Sequence, residues 1–141
     1  MANETSAKGS CLCKAVGIEV ESMKASLGAC HCGTCRKWSG SLYFAIDCGS
    51  EGVSFKGESN ISVFNSSEWA DRGFCSKCGT HLFYRLKETK HYHVAAGLFD
   101  GFDDKFSFDH QVFIDEKPPY YDFANKTENM TGEELFAKFS G

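Results

Sequence analysis

The sequence predicts a mainly β fold, an all-β sandwich or open barrel of short antiparallel strands with a short C-terminal helix. Apolar and polar residues alternate through most of the 141 residues, and this period of two is typical of half-buried strands. Turn signals rich in Gly, Ser and Asn separate the alternating runs, as at residues 49–52 and 57–60. A helical period is clear only near the C-terminal end.

Seven alternating runs are predicted to be strands. In the first, Val16, Ile18 and Val20 share one face, while glycine and glutamate occupy the other. The predicted strands cover residues 16–20, 42–46, 53–55, 61–64, 81–86, 92–99 and 106–114. Two consecutive prolines at 118 and 119 stop the last of them, because proline cannot donate a hydrogen bond to a sheet.

Two short helices are predicted. The first is a turn around residues 34–39 that ends at Gly40. The second covers residues 131–139, where Thr131 and Glu134 have the spacing of a capping box. Its apolar stripe consists of Leu135, Phe136 and Phe139. We expect this stripe to dock the helix on the sheet.

Composition narrows the class of protein. We expect a flexible N-terminus over residues 1–8 and a single domain over residues 9–141. With 15 basic against 19 acidic residues, the net charge of −4 argues against nucleic acid as the main partner. No window has the roughly 18 apolar residues of a membrane helix, and the first residues lack the apolar region of a signal peptide. We therefore expect no membrane partner and a cytoplasmic location.

The cysteines carry the chemical information. Seven of the eight fall in three clusters: Cys11 and Cys13, then Cys30, Cys32 and Cys35, then Cys75 and Cys78. Cysteines two or three residues apart can aim two sulfurs at one point about 2.3 Å away, which is the zinc–sulfur distance. A disulfide within Cys-x-Cys would close a strained ring. We expect at least one bound zinc ion, with disulfides, redox-active thiols or an iron–sulfur cluster as alternatives.

Seven clustered thiolates divide naturally into four and three. Cys11 and Cys13 paired with Cys75 and Cys78 would make a closed site, which leaves a compact set of three sulfurs at residues 30–35. A structural zinc site has four protein ligands, whereas a catalytic one has three and an open position. In a competing partition, Cys48 supplies a fourth ligand to the second site and closes it. The sequence leaves both partitions open.

The order of the motifs C-x-C, C-H-C-x-x-C-R and F-C-x-x-C-G resembles the glutathione-dependent formaldehyde-activating enzyme family, which also includes centromere protein V. The motifs occupy residues 9–16, 29–40 and 72–83, and residues 111–119 are similar to the family's tail. The resemblance implies a zinc-ribbon-like β-tent fold. It also implies that Cys11, Cys13, Cys75 and Cys78 hold a structural zinc ion, and that Cys30, Cys32 and Cys35 hold a catalytic one.

The resemblance further implies a carbon–sulfur lyase that reversibly joins a thiol such as glutathione to formaldehyde or a similar small aldehyde. We expect two zinc ions per chain, the second open to partial occupancy. Arg36 is the candidate partner for a substrate carboxylate or thiolate, and a surface ion pair is its alternative. His31 is a candidate proton relay, with simple packing as the alternative. A non-catalytic zinc module that binds a protein or a small thiol is the competing function.

Overall fold

The computed structural model describes residues 4–140, and the fold is mainly β. The strands are β1 (Glu4–Ser10), β2 (Gly17–Lys24), β3 (Ser26–Cys30), β4 (Tyr43–Gly49), β5 (Val53–Lys56), β6 (Ile61–Asn65), β7 (Ala70–Cys75), β8 (His81–Leu86), β9 (Tyr92–Ala95), β10 (Ser107–Val112) and β11 (Glu128–Met130). The helices are α1 (Gly33–Ser39) and α2 (Gly132–Ser140), and three single 3-10 turns follow β5, β9 and β10. The described helices include none that is long and apolar enough to cross a membrane.

The described chain packs as two compact units. The first combines residues up to 25 with residues 46–106, and the second combines residues 26–45 with those after 106. Each unit is a discontinuous stretch of sequence, so each must be held together by contacts between distant segments. The expectation of a single domain stays a prediction.

The first unit contains two sets of antiparallel strands. Strand β2 pairs with β1 on one side and β5 on the other, while β9, β8, β7 and β6 are neighbours in that order. Ile18 and Val20 are buried on β2, as the predicted alternation requires. The ring of Phe83 on β8 packs 5.4 Å from Phe55 and 5.1 Å from Tyr92, which places aromatic side chains at the centre of this unit.

Parallel pairing distinguishes the second unit. Strand β10 pairs in parallel with β3 on one side and with β11 on the other. The prediction of antiparallel strands is therefore wrong for these two pairs. A parallel partner needs a crossover connection, and β3 is separated from β10 by the entire middle of the chain.

Part of the N-terminal segment forms a strand, and its expected flexibility stays a prediction. Residues 4–8, which were expected to be flexible, belong to β1, which pairs with β2 from Glu4 to Ser10. This segment is polar and shows no alternation, but it pairs with β2 and its Ala7 is buried. Residues 1–3 lie outside the described part of the chain.

Both predicted helices are confirmed. Gly40 ends α1 with a φ of 86°, a left-handed conformation that glycine adopts without strain. At α2, the Glu134 N–H donates to the Thr131 hydroxyl and the Thr131 N–H donates to the Glu134 carboxylate, which completes the capping box. In the predicted stripe, Phe136 packs 5.8 Å from Phe113, and the side chain of Phe139 lies outside the described residues.

Candidate metal centres

Four cysteine sulfurs meet in the first unit. The Sγ atoms of Cys11, Cys13, Cys75 and Cys78 all lie within 4.8 Å of one another. Cys13 Sγ is 3.6 Å from Cys11 Sγ and 3.8 Å from Cys75 Sγ. Four sulfurs about 2.3 Å from a central zinc ion form a tetrahedron with edges of about 3.8 Å. The four-cysteine group therefore fits a tetrahedral metal ion such as zinc.

Two tight turns aim these sulfurs inward. Cys11 follows β1, and the Val16 N–H donates to its sulfur over 3.3 Å. Cys75 ends β7, and Gly79 has a φ of 79°, the positive value expected for the turn after Cys78. Such turns present N–H groups to sulfur, an arrangement that stabilises thiolates.

Thr80 connects the two turns. Its hydroxyl accepts a hydrogen bond from the Leu12 N–H over 3.1 Å and lies within hydrogen-bond distance of Cys78 Sγ, at 3.1 Å. This hydroxyl, followed by the N–H groups of Thr80 and Cys13, lowers the pKa of Cys78 to about 5. A lowered pKa favours the thiolate of Cys78, which is the form that binds metal.

Three cysteine sulfurs meet in the second unit. Cys30 ends β3, Cys32 is the N-cap of α1, and Cys35 lies within that helix. Their Sγ atoms are also within 4.8 Å of one another. The Cys35 N–H donates to Cys32 Sγ over 3.3 Å, so the start of the helix holds two of the three sulfurs at a fixed spacing.

The three thiols of this group lie so close together that their ionisation bears on metal binding. Cys32 and Cys35, followed by burial, raise the pKa of Cys30 far above its ordinary value. Three thiolates cannot share this space unless a cation balances their charge. The three-cysteine group therefore fits a soft divalent cation that needs one further ligand to complete a tetrahedron.

Cys48 belongs to neither group. It lies on β4, is 3% exposed, and forms no disulfide within the described part of the chain. Burial, followed by the charge of Asp47, raises the pKa of Cys48 to about 12. The side chain is therefore a neutral, packed thiol at physiological pH.

Arg36 lies one residue after the last cysteine of the three-cysteine group, on α1. Its Nε donates to the backbone carbonyl of His31 over 2.9 Å, which anchors the base of the guanidinium. Neither Nη group has a hydrogen-bond partner among the described residues. The two groups are therefore available to an anionic ligand.

His31 is fully buried, although it lies between two cysteines of the group. Its Nε2 is 2.7 Å from the Gln111 amide oxygen, and its Nδ1 is 2.5 Å from the Tyr121 hydroxyl. Burial lowers the pKa of His31 below its ordinary value. The proton relay at His31 stays a prediction.

Residues 117–121 lie beside the site, and no spacing of metal-ligand or catalytic residue types in the sequence singles them out. Lys117 Nζ donates to the backbone carbonyls of Pro118 and Tyr121 and forms an ion pair with Asp122 at 2.8 Å. The same ammonium lies 5.0 Å from the centre of the Tyr121 ring. The contacts of Lys117 therefore hold this segment together, and the segment places Tyr121 against His31.

Comparison with known proteins gives consistent matches. The family model of the glutathione-dependent formaldehyde-activating enzyme matches residues 6–116. An uncharacterized lyase of Schizosaccharomyces pombe is 40% identical over 129 residues, which cover 91% of this chain and 93% of the relative. A Rhodobacter sphaeroides protein of known crystal structure has a TM-score of 0.58 at 26% identity, covering 67% of this chain and 88% of that protein.

Proposed function

Because the chain belongs to the glutathione-dependent formaldehyde-activating enzyme family, we propose that it is a zinc-dependent carbon–sulfur lyase. Its substrates are a small thiol of the glutathione type and formaldehyde or a similar small aldehyde. The observation that carries the proposal is the unequal division of the sulfurs, four in one group and three in the other. A four-sulfur site is closed, whereas a three-sulfur site has room for a ligand.

The proposed reaction is a reversible addition. The thiol sulfur forms a bond to the carbonyl carbon, the carbon–oxygen double bond becomes a single bond, and the proton lost by the thiol ends on the aldehyde oxygen. The product is an S-hydroxymethyl thioether. The lyase direction breaks the same carbon–sulfur bond and returns both substrates.

Cys30, Cys32 and Cys35 would hold the catalytic zinc ion, and Cys11, Cys13, Cys75 and Cys78 the structural one. When bound by three thiolates, zinc supplies an open position that favours the ionised form of a substrate thiol. The protein contributes the rigid spacing of these sulfurs, since β3 and the first turn of α1 fix the positions of all three.

Arg36 would bind a carboxylate of the thiol substrate. A guanidinium donates well-directed hydrogen bonds to carboxylate oxygens, and both Nη groups are available. Because Nε is tied to His31, the guanidinium is oriented before the substrate arrives. Pre-orientation reduces the entropy that binding must offset.

Nuclear magnetic resonance with isotopically labelled formaldehyde tests the proposed activity. In a mixture with glutathione, we expect the zinc-loaded protein to accelerate exchange between free formaldehyde and the adduct. The matched control is Cys32→Ala, which retains the four-cysteine group and should return exchange to the uncatalysed rate. If exchange with the wild-type protein is no faster than in buffer, the lyase proposal is wrong and the non-catalytic zinc module becomes the better reading.

A further inference from the structure

Two histidines of the first unit lie close together, and neither belongs to a cysteine group. His91 and His93 are two residues apart, and side chains at that spacing lie on the same face of a strand. His93 belongs to β9, and the Leu86 N–H donates to the His91 carbonyl, so the pairing of β8 with β9 extends to His91. The centres of the two imidazole rings are 5.0 Å apart. Imidazoles this close together can bind one metal ion through their ring nitrogens.

Asp47 adds a carboxylate to this pair. It lies on the part of β4 that belongs to the first unit, and its Oδ1 is 2.5 Å from His91 Nε2. The Gly49 N–H donates to the same oxygen over 3.0 Å, which orients the carboxylate. The ring of His93 also packs 5.7 Å from that of Tyr84, its register partner on β8. Two imidazoles and one carboxylate are thus held beside one another.

A cavity of about 320 Å³ opens beside Asp47 and His91. Besides His91, the charged side chains that line it are Asp47, Glu51 and Lys24, so two carboxylates are present with one ammonium. The side chains of Asp47 and His91 are 46% and 31% exposed. A cation bound by these groups would be favoured by the surplus carboxylate, and water or a small anion would have room to complete its coordination.

We propose that Asp47, His91 and His93 bind a divalent first-row transition-metal ion such as zinc, at a third site separate from the two cysteine groups. Imidazole nitrogen and carboxylate oxygen are ordinary ligands of zinc, and three protein ligands leave a position open. The ion would replace the hydrogen bond between His91 and Asp47.

Metal binding requires the side chains of this site to turn. The three ligand atoms do not all lie within 4.8 Å of one another, unlike the sulfurs of the two cysteine groups. The partial exposure of Asp47 and His91 leaves them room to converge on an ion. Because this movement costs free energy and the site has no thiolate, the third ion should bind more weakly and exchange more readily than the ions at the cysteines.

Calorimetric titration with zinc chloride tests the site. The protein is first loaded with zinc and then freed of unbound metal, so that zinc kept by the cysteines is the same in every variant. We expect the wild type to bind one further zinc ion. His93→Gln and Asp47→Asn should each weaken this binding by about 10-fold or more, since even residues that only orient metal ligands contribute about 10–100-fold to affinity.

His110→Gln is the matched control. His110 Nδ1 lies 2.6 Å from an oxygen of Asp109, and its side chain is 41% exposed, so it resembles His91 in having a carboxylate partner and access to solvent. The residues two positions away from it are Phe108 and Val112, however, and neither can bind a metal ion through its side chain. His110→Gln should therefore bind the further zinc ion as tightly as the wild type. Equal weakening by this variant and by His93→Gln would show adsorption to exposed histidines in general and would overturn the proposal.

Paramagnetic Ni²⁺ identifies the ligands without any substitution. Added to the zinc-loaded wild type, it should broaden the imidazole resonances of His91 and His93 first, and those of His110 only at higher concentration. The proposal is wrong if the wild type takes up no further zinc ion, or if the broadening begins at His110. Neither result bears on the lyase proposal, which depends on the three-cysteine group.

Discussion

At the scale of a single residue, Arg36 offers the sharpest test of substrate choice. Its guanidinium is anchored through Nε, and its two Nη groups face no protein acceptor among the described residues. We expect Arg36→Ala to raise the KM for glutathione by roughly 10-fold or more, since hydrogen bonds to charged groups are worth about 1.5–3 kcal/mol. Steady-state kinetics with glutathione and with cysteamine, a thiol without a carboxylate, should show the effect for glutathione only.

The neighbouring lysine supplies a control for that substitution. Lys37→Ala removes the same charge from the same helix and has no assigned contact with substrate. A KM that rises equally for both thiols would contradict a carboxylate contact and would indicate general electrostatic attraction instead.

The residues of the site differ in how far the sequence could predict them. The cysteine grouping follows from short spacing, because ligands two or three residues apart are near each other in any conformation. Tyr121 and Gln111 carry no such signal, since they meet His31 across 90 and 80 residues. Only the tertiary fold brings Tyr121, which follows two prolines, against His31, which lies between two cysteines.

At the scale of an element, the capping box of α2 gives a prediction about stability. Thr131→Ala should destabilise this helix by about 0.5–2 kcal/mol, because the Glu134 N–H loses its acceptor. Amide hydrogen exchange of α2 measures the change. Glu133→Ala is the matched control, since it removes a first-turn carboxylate that makes no capping bond. Equal effects of the two substitutions would contradict the role of the box.

The stabilisation of α2 by this capping box should depend on pH, and the pKa of Glu134 determines the direction of the change. Bonds from the backbone and the side chain of Thr131 lower the pKa of Glu134 below its ordinary value. A carboxylate with a depressed pKa in the folded state stabilises above its unfolded pKa, and this stabilisation is lost as the pH falls through the folded pKa. The contribution of Glu134 to protection of α2 should therefore disappear in acid.

A strand is predictable from the sequence where the pattern of apolar residues along it matches the burial of its side chains in the sheet. The alternation in β2 matches the structure because one face of that strand is buried. The predicted boundaries of β8 also match, although Leu82 and Phe83 are buried side by side within it. Strand β7 is not predicted because its central residues Asp71, Arg72 and Gly73 include no large apolar side chain. Gly73 is required there, since a Cβ would lie 2.3 Å from the Phe83 ring.

At the scale of the whole molecule, each unit contains one cysteine group, and the two groups have different structural roles. Cys75 is fully buried at the end of β7, and β7 is hydrogen-bonded to strands on both sides. Cys32 is half-buried at the first turn of a seven-residue helix. The four-cysteine group links the end of β7 to the turn after β1, whereas Cys32 lies at the start of α1.

We therefore expect opposite outcomes from two alanine substitutions. Cys75→Ala should unfold or aggregate the protein, because a structural zinc ion contributes about 10–16 kcal/mol, comparable to the whole stability of about 5–15 kcal/mol. Cys32→Ala should remain folded and inactive. Circular dichroism and thermal unfolding measure folding, and zinc content per chain measures the occupancy of the two groups. Equal loss of folding in both variants would contradict the division of the seven sulfurs into groups of four and three.

Cys48→Ala completes the set, because it is a buried cysteine in neither group. We expect it to retain two zinc ions and full activity, at the modest cost of a small cavity in β4. The alternative partition, in which Cys48 closes the second site, predicts instead that this variant loses one zinc ion. A loss of one zinc ion from Cys48→Ala would mean that the second site has four protein ligands, and a site with four protein ligands has no open position for the thiol.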